Sequence, residues 1–214
     1  MCKYRFFFSI ALVFWAGFLF ADPSRCIKFD DVDGSGKLPF NFRIIDDRLL
    51  AGGYLFNPVT KKNSVRKVHE YLKILKTLGA SSIVLLHVPA AGDKFTQELE
   101  KACREESLEL YKLRMNSEKV PNADETARLM KLIDGGAYVH CMWGCDRTGA
   151  VIAKYLVDRK GYTSEQAFKA IIGGGSHAGK KGGFKKTPGN RNLLLYFWPN
   201  VQTEAPEVWK YYSK

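Results

Sequence analysis

Residues 81–88, SSIVLLHV, run apolar from Ile83 to Leu86 with no alternation that would leave one face wet. A strand of this kind must be covered on both sides, which happens where helices lie on both faces of a sheet. The flanking sequence supplies those helices. From Ser64 to Leu78 apolar residues recur at Val65, Val68, Leu72, Leu75 and Leu78, the spacing of one helical face, and Gly79 provides the stop. A polar helix is predicted over 94–106, an alternating strand over 108–115 (LELYKLRM), and a helix opening at Pro121 and Asn122 and closing at Gly135–Gly136. The short run AYVHC leads through a tight loop into the helix TGAVIAKYLVDRK, which Gly161 ends; TSEQAFKAII follows with a capping pattern. Upstream, NFRIIDDRLLAGGYL (41–55) reads as a hairpin around Asp46 and Asp47. Strands alternating with helices predict an α/β three-layer sandwich, with a mostly parallel central sheet and helices on both faces.

The ends of the chain read differently. MCKYR is a short basic stretch, Phe6 to Ala21 is an uncharged apolar run, and polar DPSR follows, the layout of a secretory signal peptide with cleavage after Ala21. The run falls short of the roughly 20 residues of a bilayer span; an uncleaved anchor is the alternative. The expected organisation is a leader over 1–21, an extension over 22–40 and one domain over 41–214, with no membrane span in the mature chain and an exported, periplasmic or secreted product. Of 214 residues, 33 are Lys or Arg and 22 are Asp or Glu, a net charge of +11. Losing the leader removes Lys3 and Arg5 and no acid, so the remainder stays strongly basic. Export leaves four cysteines, of which Cys26 and Cys103 could form a structural disulfide.

The stretch VHCMWGCDRTG (139–149) carries the chemistry. A loop running from a strand end into a helix start turns its backbone N–H groups inward, where the helix's first free N–H groups join them in an anion cradle. Gly144 turns the chain without a side chain in the way. Arg147 can grip two phosphate oxygens with its planar fork. Cys141, at the base, is then a nucleophile aimed at phosphorus; a cysteinyl-phosphate would form and be hydrolysed by water. Thr148 can hydrogen-bond the departing sulfur, His140 braces the loop, and the chemistry calls for no metal or other cofactor. Met142, Trp143, Gly144, Cys145 and Gly149 complete the substrate-binding cradle. Cys145 also stands near enough along the chain to trap Cys141 as a reversible disulfide, or else simply fills the loop.

HCMWGCDRTG resembles the His-Cys-five-residues-Arg-Thr/Ser signature of the protein tyrosine phosphatase superfamily, and the resemblance extends more loosely over about residues 40–198. It implies a phosphatase fold like that of compact dual-specificity and phytase-like members, with Cys141 as nucleophile, Arg147 as phosphate ligand and Thr148 as the assisting hydroxyl. One element departs from the family pattern. The general-acid aspartate stands four residues before a helix-starting proline in the phytase-like branch; here Pro121 puts Ser117 in that slot. The candidates become Glu118, then Asp146, then Asp124, chosen by reach to the leaving oxygen.

Basic residues cluster in KKGGFKKTPGNR (Lys180, Lys181, Lys185, Lys186), in KKNSVRK (61–67) and at Lys119. A field of this sign gathers polyanions, so an inositol polyphosphate is the expected substrate and partner. A phosphoprotein is the alternative, requiring an aromatic-walled cleft for which Trp143 and Tyr54 are the candidate walls, unless they serve the core. A phosphate-binding module with little turnover is a third reading, and no nucleic-acid partner is expected.

Overall fold

The hairpin forms as β2 (Arg43–Ile44) and β3 (Leu49–Gly52), paired antiparallel with Ile44 opposite Leu50. Its turn is held by one carboxylate. Asp46 accepts the backbone N–H groups of Arg48 and Leu49, each at 2.9 Å, along with the Tyr155 hydroxyl and the Lys160 ammonium, both at 2.8 Å. The computed structural model describes residues 26–89 and 92–213. The expected leader over 1–21 and its cleavage point lie outside the described residues.

The rest of the sheet follows the sequence reading closely. The apolar run becomes β4 (Ser82–Leu85), the alternating stretch β5 (Glu109–Lys112), and AYVH the strand β6 (Ala137–His140). With β1 (Ile27–Lys28) at the edge, the order is β1-β2-β3-β6-β4-β5. The three pairings among β3, β6, β4 and β5 are parallel and the two at the β1 edge are antiparallel. The architecture is thus the expected α/β sandwich. Strand β1 was not anticipated: two residues are too few to show a period. Residues 26–40 belong to the fold rather than forming a separate extension, since Val32 and Phe40 are buried and Phe29 lies 5.4 Å from Phe42, ring to ring.

Alternate strand positions divide the core into two layers. Leu50, Ile83, Leu85 and Tyr138 face helices α1 (Val65–Thr77) and α2 (Lys94–Glu105). Leu49, Ala51, Val84, Leu86, Ala137 and Val139 face α3 (Ala123–Asp134), α4 (Asp146–Lys160), α5 (Ser164–Ile171) and α6 (Arg191–Phe197). Two short C-terminal helices, α7 (Val201–Glu204) and α8 (Pro206–Trp209), extend the second layer, burying Val201 and Ala205. Each fully buried aliphatic side chain contributes about 1.5–3 kcal/mol through removal from water. Cys26 packs against the second layer and Cys103 lies within the first, so the sheet separates them and both are free thiols. The expected Cys26–Cys103 disulfide does not form. Among the described residues, no helix is long and apolar enough to cross a membrane.

The Asp46 knot ties the hairpin turn to the last turns of α4, and it is sensitive to pH. Burial opposes the charged form, but the hydrogen bonds from Lys160, Arg48, Tyr155 and Leu49 outweigh it and hold the carboxyl below its ordinary value. A depressed acid contributes stability in full above its unfolded value near 3.9, and that contribution is lost as pH falls through the folded value. Asp46→Ala should therefore cost about 2–3 kcal/mol at neutral pH, leaving a buried hydroxyl and two backbone N–H groups without their acceptor. Urea unfolding of parent and variant at pH 7 and pH 2 checks this: the gap between them should shrink at acid pH.

Candidate active site

Strand β6 ends at His140, whose register partners are Gly52 on one side and Leu85 on the other. Cys141 therefore leaves the sheet between two other strand ends: Gly53 and Tyr54 follow β3, and Leu86 and His87 follow β4. Strand pairing continues past β5, with Met115 N–H on the Leu86 carbonyl, which brings the 116–121 segment to the same edge. The site thus opens at the carboxyl ends of parallel strands, where open α/β sheets bind their ligands.

The loop's three outer carbonyls are each held from behind. The Met142 carbonyl accepts the Tyr54 N–H at 2.9 Å, the Trp143 carbonyl accepts Asn41 Nδ2 at 3.2 Å, and the Gly144 carbonyl accepts Arg43 Nη2 at 3.0 Å. Because a trans peptide points its N–H opposite its C=O, turning these carbonyls outward turns the N–H groups of Trp143, Gly144 and Cys145 inward. Helix α4 adds to them: Cys145 occupies its N-cap position but makes no side-chain capping bond, so the first-turn amides remain available to an anion. Gly144 sits at φ +69, and a Cβ there would lie 2.5 Å from the Gly52 carbonyl group. Only glycine fits.

Asn41 and Arg43 went unrecognised in the sequence. Both are buried. Asn41 adopts φ 54, a left-handed conformation that asparagine tolerates better than most residues. Its amide also donates to the Gly182 carbonyl at 3.1 Å and accepts the Lys181 N–H at 2.9 Å, joining the 173–191 loop to the cradle. Arg43 donates in addition to the Asn41 and His177 carbonyls. The signal was there in FNFRII, two polar side chains on alternate positions of an otherwise apolar strand.

Within the cradle, Cys141 is buried at the base and Arg147 is partly exposed. Thr148 is fully buried, and its hydroxyl has no hydrogen-bond partner among the described residues. His140 is stacked between Tyr138 and Tyr54, with ring centroids 5.3 and 5.9 Å away, and its Nδ1 lies 3.3 Å from the Cys141 carbonyl. Burial pushes this imidazole down to about 4, with the hydrogen bond to Cys141 opposing, so it is neutral and braces the loop without charge. Cys145 is a free, buried thiol whose Sγ donates to the Gly182 carbonyl at 3.1 Å; burial, with Cys141 nearby, pushes it up to about 11. Gly149 is buried in α4 with Phe184 beside it.

The remaining expected residues scatter. Trp143 stays exposed and meets Phe40 edge-on. Asp146 is committed to the 173–191 loop, its Oδ1 accepting Lys185 N–H at 2.9 Å and Asn190 Nδ2 at 2.7 Å, which explains its place in the sequence without any proton transfer. Asp124 stands exposed in the first turn of α3 beside the Asn122–Glu125 capping box. Glu118 is exposed on the segment after β5, where its N–H is held by Asn116. Lys119 pairs with Glu125 at 3.5 Å and Lys180 with Asp30 at 3.0 Å, while Lys186 lies over the rings of Phe168 and Tyr211. None of these three lysines lines the cavity that meets the loop at Met142. The Lys181 and Lys185 side chains are exposed.

Beside the cradle lies a cavity of about 190 Å³, walled by Tyr54, Phe56 and Phe95 and edged by Met142, His87, Asp93 and Lys61. Burial, together with the Asp93 carboxylate, pushes the Tyr54 phenol up, so it stays protonated. Of these residues only Tyr54, Met142 and Lys61 stood out in the sequence; Asp93 went unremarked there and caps α2, accepting the Thr96 N–H at 2.8 Å.

Comparison with known proteins agrees with this geometry. The sequence model of the family described as "DSP-PTPase phosphatase fused to NAD+ Kinase" matches residues 66–186. Among solved structures, P. aeruginosa TpbA is 13% identical with a TM-score of 0.54, the match covering 90% of this chain and 99% of that one. Tk-PTP in its active form is 15% identical with a TM-score of 0.52, covering 75% and 98%. PTPMT1 is 16% identical with a TM-score of 0.50, covering 78% and 99%. At such identities the likeness is one of fold. No curated protein sequence matches the chain.

If the outward carbonyls set the amide cradle, removing one of their holders should hurt anion binding beyond its cost to folding. Asn41→Ala should lose about 1–3 kcal/mol of stability and weaken competitive inhibition by inorganic phosphate about tenfold. Ile133→Val, a core truncation at the end of α3 that precedes β6 and so at the opposite end of that strand from Cys141, should cost about 0.5–1.5 kcal/mol and leave the inhibition constant of the folded protein unchanged. Inhibition and thermal melting measured on both variants separate the two effects.

Proposed function

The chain belongs to the DSP-PTPase phosphatases, and from that membership we propose that it hydrolyses aryl phosphate monoesters, phosphotyrosine above all, through a phosphocysteine on Cys141. The observation that carries the substrate choice is the aromatic-walled cavity that meets the cradle loop at Met142, lined by Tyr54, Phe56 and Phe95, with Lys61 as its one lysine or arginine among the described residues. A planar ring is held well between aromatic faces. A polyanion would instead want several cations there, and Lys119, Lys180 and Lys186 have other partners.

In this reading the Cys141 thiolate attacks phosphorus in line; the S–P bond forms as the bond to the leaving oxygen breaks. The amides of Trp143, Gly144 and Cys145, the first turn of α4 and the Arg147 fork hold the equatorial oxygens, where charge collects in a loose transition state. The leaving oxygen takes its proton from Glu118. Of the three expected carboxyls, Glu118 alone lies on the segment after β5 without a structural duty, whereas Asp146 anchors the 173–191 loop and Asp124 favours the α3 dipole. Water then attacks the phosphocysteine, passes its proton to Glu118 and displaces the sulfur, to which the Thr148 hydroxyl, without a partner among the described residues, donates. The chemistry takes place outside the cytoplasm, after removal of residues 1–21; the basic start and uncharged run of that segment support export.

A second reading keeps inositol polyphosphates. The net charge of +11, with Lys61 at the cavity rim and Lys62, Lys181 and Lys185 exposed, favours approach of a polyanion.

Phosphate release from phosphotyrosyl peptide, phytate, phosphoinositide vesicles and an aryl phosphate decides between them. The peptide should exceed phytate in kcat/KM by at least about tenfold, and Cys141→Ser should abolish turnover of both. Phytate as the better substrate would overturn the aryl choice. Glu118→Gln should slow esters with poor leaving groups by about 10²-fold or more and spare those with good ones. Mass measurement of the exported protein should find Asp22 at its N-terminus.

A further inference from the structure

Arg147 is not held by the cradle alone. Its Nη1 lies 3.1 Å from Nδ1 of His87, the residue that follows β4 by two positions and lines the cavity with Met142. A guanidinium has only donors, so this contact is a hydrogen bond only if Nδ1 offers a lone pair. The ring must then be neutral with its proton on Nε2. From this geometry we infer that His87 is a positioning residue, a neutral imidazole that accepts from Arg147 and fixes the angle at which the guanidinium fork meets the phosphate.

The surroundings are consistent with that state. His87 is half-buried, and burial, with the Arg147 charge beside it, lowers its affinity for a proton; Asp93 opposes this from the start of α2. The other titratable groups near it are the Tyr54 phenol after β3, Lys61 before α1, and His140 at the end of β6. The Asp93 carboxylate on the cavity's rim has its Oδ2 occupied by the Thr96 N–H and hydroxyl, both at 2.8 Å, and makes no ion pair with Arg147. The arginine thus meets a neutral acceptor rather than a carboxylate. That matters chemically: an acceptor without charge orients the fork while leaving its full positive charge to the phosphate, where a carboxylate would neutralise part of it.

The inference rests on Arg147 being the phosphate ligand, and the experiment separates the two claims. His87→Ala and His87→Gln are compared with the parent and with Arg147→Lys, using para-nitrophenyl phosphate turnover, inhibition by inorganic phosphate and thermal melting. His87→Ala should lower kcat/KM about tenfold and weaken phosphate inhibition to the same degree. His87→Gln, whose amide oxygen can accept from Nη1, should recover most of that loss. Nitrogen-15 NMR of the unliganded parent at neutral pH should find His87 neutral and protonated on Nε2. Should Arg147→Lys leave phosphate inhibition intact, the phosphate-ligand reading has failed. If Arg147→Lys is crippled while both His87 variants match the parent, or if the proton resides on Nδ1, the positioning role is wrong. A lower melting temperature with unchanged kcat/KM would likewise assign His87 a merely structural part.

Discussion

Three peptide carbonyls turned away from the active site decide what the loop can bind. A peptide plane cannot aim both its ends at one point, so every carbonyl pinned outward by Tyr54, Asn41 or Arg43 delivers one N–H inward. The pins themselves are costly. Arg43 is a buried guanidinium whose desolvation is offset only because three carbonyls, those of Asn41, Gly144 and His177, take its donors. Asn41 stands in a left-handed backbone conformation. Such expenditure makes sense where the shape of the loop must be fixed before a ligand arrives, since amides already aimed at developing charge need no reorganisation during reaction.

The rest of the fold serves those pins. The Asp46 knot fixes the hairpin that carries Arg43, and the same carboxylate ties that hairpin to α4, the helix whose first turn completes the cradle. Register does the remainder. With His140 abreast of Gly52 and Leu85, the residues that follow all three strands converge on one edge. Burial then strips charge from its neighbours: His140 is neutral between two tyrosine rings, and His87 is driven the same way. The positive charge that meets the phosphate is left to Arg147, oriented by His87, and to the fixed amide dipoles, with Arg43 behind the loop.

Much of this was legible in the sequence because it is written in short-range patterns. Apolar period gave the helices and buried strands, glycines their stops, and the spacing from Cys141 to Arg147, bounded by a strand and a helix, gave the cradle. The two-residue strand β1 carries no period, and the short C-terminal helices make few turns. Contacts between distant segments were less visible. Asn41 meets Gly144 across about a hundred residues, and His87 meets Arg147 across sixty; nothing local marks either pair. Charge gives no positions. Lysines 180 and 186 stand out in the sequence as part of a basic cluster, and the fold sets one beside Asp30 and the other over aromatic faces. A count of charges says nothing of where long side chains come to rest.

The central claim is that the amide cradle exists to present phosphorus to Cys141. Rapid acid quenching during turnover of an aryl phosphate, followed by peptide mass spectrometry, tests it most directly. A phosphoryl adduct on Cys141 that appears within the first turnover, and accumulates when Thr148 is replaced by alanine, is the predicted result. Steady turnover with no adduct on Cys141, or with phosphorus on another side chain, would contradict the account.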